Sequence, residues 1–172
     1  MGRMTVEELL EQQAVRDVLI RYTRGIDRMD PDLVRSCYHP DAHDDHGAFQ
    51  GGTDEFVAWF QQALGYFERT MHFVGNQLVE VDGDVAHAES YCVAYHRRAA
   101  DGAEAASDLV IGLRYCDRLE RRDGEWRIAD RVCAMDWSRV DPVVAEWEFP
   151  PEAVRGRRDR DDPAYARGRT PR

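Results

Sequence analysis

SDLVIGLRYCDRLERRDGEWRIADRVCAMDW, residues 107–137, is the stretch on which the architecture turns. Two runs rich in Val, Leu, Ile, Tyr and Trp flank Asp123-Gly124, and an Asp-Gly pair between β-favouring runs is the strongest short-range signal for a hairpin. Strands are predicted over 107–121 and 125–137. The pattern repeats upstream, where Asp82-Gly83 separates 72–81 from 85–98, and a loop at Asp101-Gly102 joins the two hairpins. The second half of the chain therefore predicts a four-strand antiparallel meander.

Before Met71 the period changes. Thr5 and Glu8 form a capping-box pattern, and Leu10, Ala14, Val15, Val18, Leu19, Tyr22 and Ile26 recur at helical spacing, predicting a long first helix that ends near Arg28. Asp30 as N-cap and Pro31 at the first helical position predict a short second helix, stopped by His39-Pro40. After a polar segment at 42–52, Thr53 is read as the cap of a third helix carrying Phe56, Val57, Trp59, Phe60, Leu64 and Phe67. Helices followed by a meander give an α+β domain, with the helices packed on one face of a curved antiparallel sheet. A chain of 172 residues fits one domain and is long enough to bury a core with an internal pocket. Residues 1–149 are read as that domain, with Trp147 and Phe149 docking near its end. Residues 150–172, dominated by Arg, Asp, Pro and Gly, are read as a disordered tail.

Composition excludes several function classes. All 23 basic residues are Arg, so no lysine is present to form a Schiff base or a P-loop phosphate contact. Residues 1–149 hold 16 Arg against 29 acids, a net −13, which argues against nucleic acid as a partner because phosphate binding needs a basic surface. The four cysteines are widely spaced without a C-x-x-C pair, the N-terminus has no signal-like apolar run, and no window approaches the ~18 apolar residues of a membrane span. These features predict a cytoplasmic protein with buried free thiols and no membrane contact. Neither a dinucleotide fingerprint nor a G-x-S-x-G motif occurs, and no cofactor is expected.

Four segments taken in order carry a family resemblance: Tyr38-His39-Pro40-Asp41-Ala42; Asp45-His46-Gly47; Thr70-x-His72-x-x-Gly75-Asn76; and Tyr115-x-Asp117-Arg118-x-Glu120-Arg121-Arg122-Asp123-Gly124-x-Trp126-Arg127-Ile128. Over residues 6–140 the chain resembles the SnoaL-like branch of the nuclear-transport-factor-2-like superfamily. The resemblance implies a cone-shaped fold, its curved sheet packed against the N-terminal helices, with an apolar pocket at the open end. The dehydratase and dehydrochlorinase members imply an Asp near the end of the first helix and a His on the first long strand. The matching positions here are Asp27 and His72.

In such a pair the carboxylate fixes the imidazole tautomer and stabilises the imidazolium formed when the other ring nitrogen takes a substrate proton. By residue type alone, a helix-end Asp and a strand His that never meet are the favoured reading; the resemblance favours the pair. Tyr22, five residues before Asp27, either donates to a substrate carbonyl or leaving hydroxyl or belongs to the core series of Ala14 and Val18. Arg24 falls away from the apolar stripe. His39, His43, Asp44, Asp45 and His46 are ligand-rich, but their spacing matches no metal motif. Strand alternation would turn His43 and Asp45 one way, with Asp44 and His46 the other. The segment is read as partly solvated, without metal, with His46 at the pocket mouth.

Trp59 and Tyr91 or Tyr95 are the aromatic candidates for substrate contact. Arg131 either holds a substrate oxygen or pairs with a neighbouring acid. The predicted activity is a cofactor-independent, dehydratase-type elimination on a small hydrophobic substrate, polycyclic or aromatic-like, with His72 as base, Asp27 behind it and Tyr22 assisting. The alternatives are a cyclase or isomerase using the same pair, and a non-catalytic ligand-binding or assembly subunit like the small subunits of ring-hydroxylating dioxygenases. The wide outer face of a curved sheet predicts a homo-oligomer, a trimer in preference to a dimer.

Overall fold

The computed structural model describes residues 4–166, in the order α1 (Val6–Asp27), α2 (Pro31–Ser36), β1 (Tyr38–Asp45), β2 (Gln50–Gly52), α3 (Thr53–Gly65), β3 (Arg69–Asp82), β4 (Val85–Arg98), β5 (Ser107–Arg122), β6 (Glu125–Pro142) and a 3₁₀ turn, Pro163–Tyr165. The capping box forms: the Glu8 N–H donates to Thr5 Oγ1 at 3.1 Å and the Thr5 N–H to Glu8 Oε2 at 2.7 Å. From there α1 buries Val15, Val18, Leu19, Tyr22 and Ile26 on one side. Gly25 is where α2 crosses, since a Cβ there would lie 2.8 Å from Val34 Cγ2. Asp30 caps α2 by accepting from the Leu33 N–H at 3.2 Å.

Thr53 does not cap the third helix. It is the first helical residue, behind Gly52, whose N–H donates to Glu55 Oε2 at 2.9 Å. The Thr53 hydroxyl instead donates to the His39 carbonyl at 2.8 Å, a buried bond that ties α3 to β1. Because α3 ends at Gly65, Phe67 lies beyond it.

The sheet has six strands in the order β2-β1-β6-β5-β4-β3, and β1 runs parallel to β6, so it is mixed rather than wholly antiparallel. The predicted meander is β3 to β6. The two further strands come from the segment expected to be partly solvated, where the buried positions of β1 are Tyr38, His39, Ala42 and Asp44. Pro40 does not end the ordered chain; it sits where the β1–β6 register shifts between Tyr38 and His43, a place where a missing N–H is tolerated. Asp123 and Gly124 both take positive φ, 54° and 80°, as a two-residue hairpin turn requires. The first hairpin turns one residue later than its Asp-Gly pair suggests: Asp82 pairs with Val85, and Gly83, at φ 59°, opens the turn.

The core lies between the helices and the inner sheet face. On β4 that face is a row of small residues, Ala86, Ala88, Ser90, Cys92 and Ala94, all buried. The opposite face exposes Phe73, Tyr91, Tyr95 and Trp137. All four cysteines are free. Among the described residues no helix is long and apolar enough to cross a membrane.

Residues 150–166, expected to be disordered, fold back onto the acidic body. Arg160 bridges Asp30 and Asp32 at 3.0 and 3.1 Å, the Tyr165 hydroxyl donates to Asp30 at 2.9 Å, and Arg28 pairs with Asp162 at 3.3 Å. Arg158 donates to the carbonyls of Leu64 and Phe67 at the end of α3. The expected docking of Trp147 does not occur, since it is 83% exposed; Phe149 lies under the Arg155 guanidinium. The rest of the expected tail, 167–172, lies outside the described residues.

Candidate active site

One partly open cavity of ≈ 240 Å³ lies between α1, α3 and the inner faces of β3, β4 and β5, and its lining is mostly apolar. Ile26, Phe56, Trp59, Phe60 and Leu64 form the helical side, with Phe67 just past α3 and Leu109, Ile111, Leu113 and Met135 opposite; Tyr22, His46, His72, His96 and Tyr115 are its polar groups. A wider groove of ≈ 660 Å³ between α1 and the β5–β6 turn is lined by Asp17, Arg21, Glu125 and Arg127 and gathers no comparable set of groups. An apolar enclosure with a few convergent polar groups is the usual form of a small-molecule site.

Asp27 ends α1 and His72 lies on β3, and they meet. The carboxylate accepts from the His72 backbone N–H at 2.9 Å and from ring Nδ1 at 2.7 Å, leaving Nε2 as the free nitrogen of a cavity-lining ring. Burial pushes the Asp27 carboxyl up, but the ring and backbone hydrogen bonds and the charge interaction with His72 outweigh it and hold it below the usual range. An ionised carboxylate on Nδ1 fixes the tautomer in which Nε2 can accept a proton.

His96, which sequence reasoning passed over, stands beside this pair. Its ring is perpendicular to that of His72 at 5.4 Å, and it also contacts Phe67. Burial, then the like charge of His72, push it down to about 4. It therefore stays neutral near pH 7. The signal for it was parity on β4, which puts Ala94 and His96 on the face opposite Tyr95.

The shift has a stability consequence with a definite sign. Unfolded, histidine titrates near ~6.5, so between that value and the folded value the unfolded chain binds the extra proton. Stability is complete above about pH 6.5 and declines toward pH 4, by about 3 kcal/mol in all for a shift of this size. Urea unfolding at pH 7 and pH 4.5 is expected to show this decline in the native sequence and a smaller one in His96→Gln. An equal decline in both would place its origin elsewhere.

The other polar wall joins α1 to β1. Tyr22 Oη and His46 Nε2 lie 3.2 Å apart, His46 Nδ1 bonds Asp44 Oδ1, and the Tyr38 hydroxyl donates to Asp44 Oδ2 at 2.6 Å. The alternation expected at residues 43–46 holds: Asp44 and His46 point inward while His43 is exposed near Asp130. His39 is buried and donates to the Glu120 carbonyl at 2.9 Å. Among the described residues no three His, Cys, Asp or Glu side chains converge as a metal would require.

Arg131 does not line the cavity. It is fully buried and makes a bidentate pair with Asp117 at 2.6 and 2.9 Å, with its guanidinium 4.0 Å from the Tyr22 ring centroid and 4.3 Å from that of Tyr115. Of its two sequence readings, the ion pair is the one that forms. Burial works against its charge, but Asp117 and the surrounding phenol oxygens hold it protonated. Tyr22 is both a core aromatic and a cavity wall, and burial pushes its hydroxyl well above the usual range. Trp59 lines the cavity as expected, stacked on Phe49. Tyr91 does not: it is 50% exposed on the outer sheet face, and Tyr95 shares that side. Large aromatics occupy the outer row of β4 because α1 and the cavity leave room only for small residues inside.

The sequence pattern of the SnoaL-like domain matches residues 7–132. An uncharacterised protein of Mycobacterium tuberculosis strain H37Rv is 31% identical over 132 residues, covering 75% of this chain and 88% of its own length. Among solved structures, a putative scytalone dehydratase from Novosphingobium aromaticivorans superimposes with a TM-score of 0.70 at 20% identity, over 84% of this chain and all of that one. A type 3 hexachlorocyclohexane dehydrochlorinase from Novosphingobium barchaimii gives a TM-score of 0.67 at 19% identity, over 85% and 99%. At these identities the structural likeness speaks for the fold alone.

Proposed function

The chain belongs to the SnoaL-like domain family of nuclear-transport-factor-2-like folds, and from that premise we propose that it is a cofactor-independent lyase acting on a hydrophobic aromatic or polycyclic hydroxy-carbonyl compound. One observation carries the reading: His72 presents a free Nε2 at a mostly apolar cavity while Asp27 holds Nδ1 at 2.7 Å. His72 takes a proton from the carbon beside a carbonyl, Asp27 stabilises the resulting imidazolium, and Tyr22 assists departure of the leaving hydroxyl. The mostly apolar lining lowers the polarity around these groups, which strengthens each of these interactions. Two solved neighbours named as a dehydratase and a dehydrochlorinase, both words for eliminations, fit this direction. A non-catalytic subunit has no need of a carboxylate–imidazole contact inside its cavity.

The test is a mass-spectrometric screen of hydrophobic β-hydroxy ketones for loss of water, run beside His72→Ala. Turnover by the native protein and none by the variant supports the reading. Equal behaviour of the two across the screen sinks it.

The proposal extends to a homo-oligomer in a reducing compartment, where the four thiols stay free. Phe73, Tyr91, Tyr95 and Trp137, on the outer face of the meander strands, are 65, 50, 38 and 47% exposed, an apolar area of the kind that a second copy covers. Light scattering at micromolar concentration is expected to give a multiple of the 19.8 kDa chain mass, and a monomeric mass would refute the assembly.

A further inference from the structure

We propose that Asp44, His46 and Tyr22 form a proton-donating arm of the same cavity, so that its substrates are those whose leaving group departs through oxygen and needs a proton to do so. The inference rests on the elimination reading, with His72 as base, and adds the acid that reading requires.

The geometry is a second carboxylate–imidazole pair, independent of the first and ending on a phenol. Asp44 is 1% exposed and receives the Tyr38 hydroxyl on one oxygen and His46 Nδ1 on the other. Nε2 of His46 is 3.2 Å from Tyr22 Oη, and both His46 and Tyr22 line the cavity that contains His72. Alone, Tyr22 would be a poor acid, because burial holds its proton firmly. Coupled to an imidazolium it is a good one: as Oη releases its proton to a leaving oxygen, Nε2 supplies another.

Charged groups lie close to His46 on one side and rings on the other. The buried neighbours are two carboxylates, Asp44 and Asp117, against one guanidinium, Arg131, and the remaining groups packed on His46 are the uncharged rings of Phe56, Trp59 and Tyr115. Arg131, 4.0 Å from the Tyr22 ring centroid, stabilises negative charge developing on that phenol.

The step balances without a co-reactant. His72 Nε2 takes the proton from carbon, and the C–H electron pair becomes the new double bond. The carbon–oxygen bond breaks with its pair going to oxygen, which takes the Tyr22 proton and leaves as water. Tyr22 is reprotonated from His46 Nε2, and solvent then restores the proton to His46 and removes the one on His72. Tyr22 touches the leaving group in this scheme, whereas His46 and Asp44 act through it.

Ring-substituted 1,2-benzisoxazoles test the acid arm apart from the base. A base removes the C3 proton, its pair forms the nitrile, the N–O bond breaks, and the phenolate oxygen takes a proton, giving a 2-cyanophenol. The 5-nitro compound releases a stable phenolate and has little need of an acid, whereas the unsubstituted parent needs one. In His46→Gln and Tyr22→Phe the preference for the nitro compound over the parent is expected to widen by about 10²-fold relative to the native protein, the scale of general acid catalysis. Asp44→Asn is expected to follow His46→Gln, and these two carry the comparison if Tyr22→Phe fails to fold. Equal losses on both compounds would mean that these residues only shape the cavity, which overturns the acid arm and leaves the base intact. A native rate no faster than His72→Ala removes the base and the acid arm with it.

Discussion

Arg131→Met is expected to lose about 3–5 kcal/mol of stability, the range found when one partner of a buried ion pair is removed. The methionine fills much of the volume, so the loss comes from charge. Asp117 would be left among the buried rings of Tyr22, Tyr38 and Tyr115 with no cation to neutralise it. In urea the midpoint should fall at nearly constant slope, because the same surface is exposed on unfolding. In a chain of this size the melting temperature should drop by about 10 °C. The double replacement Arg131→Met with Asp117→Leu removes both charges and is expected to recover much of the loss, since apolar groups of similar volume often replace a buried pair without penalty. If the double variant is as unstable as the single, packing on the three phenol rings and not the ion pair is what Arg131 supplies.

His72→Ala is the second large effect, and it falls on turnover. Removing a general base costs about 10²–10⁴ in rate, and here no neighbour can substitute. His96 is the nearest imidazole, but burial pushes it down to about 4, so it is a weak proton acceptor, and its Nδ1 faces the Leu109 carbonyl at 3.4 Å. Asp27 makes both of its strong hydrogen bonds to His72 and lies behind it. The variant should keep a native circular dichroism spectrum, because His72 fills a cavity wall and carries no buried ion pair of the Arg131 kind. A variant that retained full turnover of a compound found in the screen would show that His72 is not the base.

How much of this was legible depends on what each residue does. The first helix, the short second helix and the four long strands announce themselves through caps, Pro31 and two turn signals, all local chemistry. Strand β1 does not, because its inward positions include His39 and Asp44, and a strand that buries polar groups reads as a loop. The Asp27–His72 contact spans 45 residues, and the family resemblance pointed to it where residue types could not. Tyr22 and Asp27, five residues apart, do not share one stripe of α1. The gap is bridged because His72 reaches the cavity on Asp27's behalf. Arg131 had two open readings because its partner Asp117 lies on another strand, and only the β5–β6 register, Asp117 opposite Arg131, decides between them. The tail misled for a related reason: its alternating Arg and Asp look like disorder until Asp30 and Asp32 stand opposite them.

Tyr22 and Asp27, on which the proposed acid and base both depend, spring from a single rigid element, and that bears on how such a protein can diverge. Tyr22 and Asp27 are about 7.5 Å apart along α1 and about 140° apart around it, a spacing that helix geometry sets and no loop can adjust. Inserting or deleting one residue between them would turn one arm away by about 100°. By contrast Trp59, Leu109, Ile111 and Met135 lie on α3, β5 and β6 and carry no chemistry of their own. Exchange at those positions can re-contour the space offered to a substrate while the proton-transfer distances stay as they are. Descendants of this chain would therefore be free to change what they accept long before they could change what they do to it.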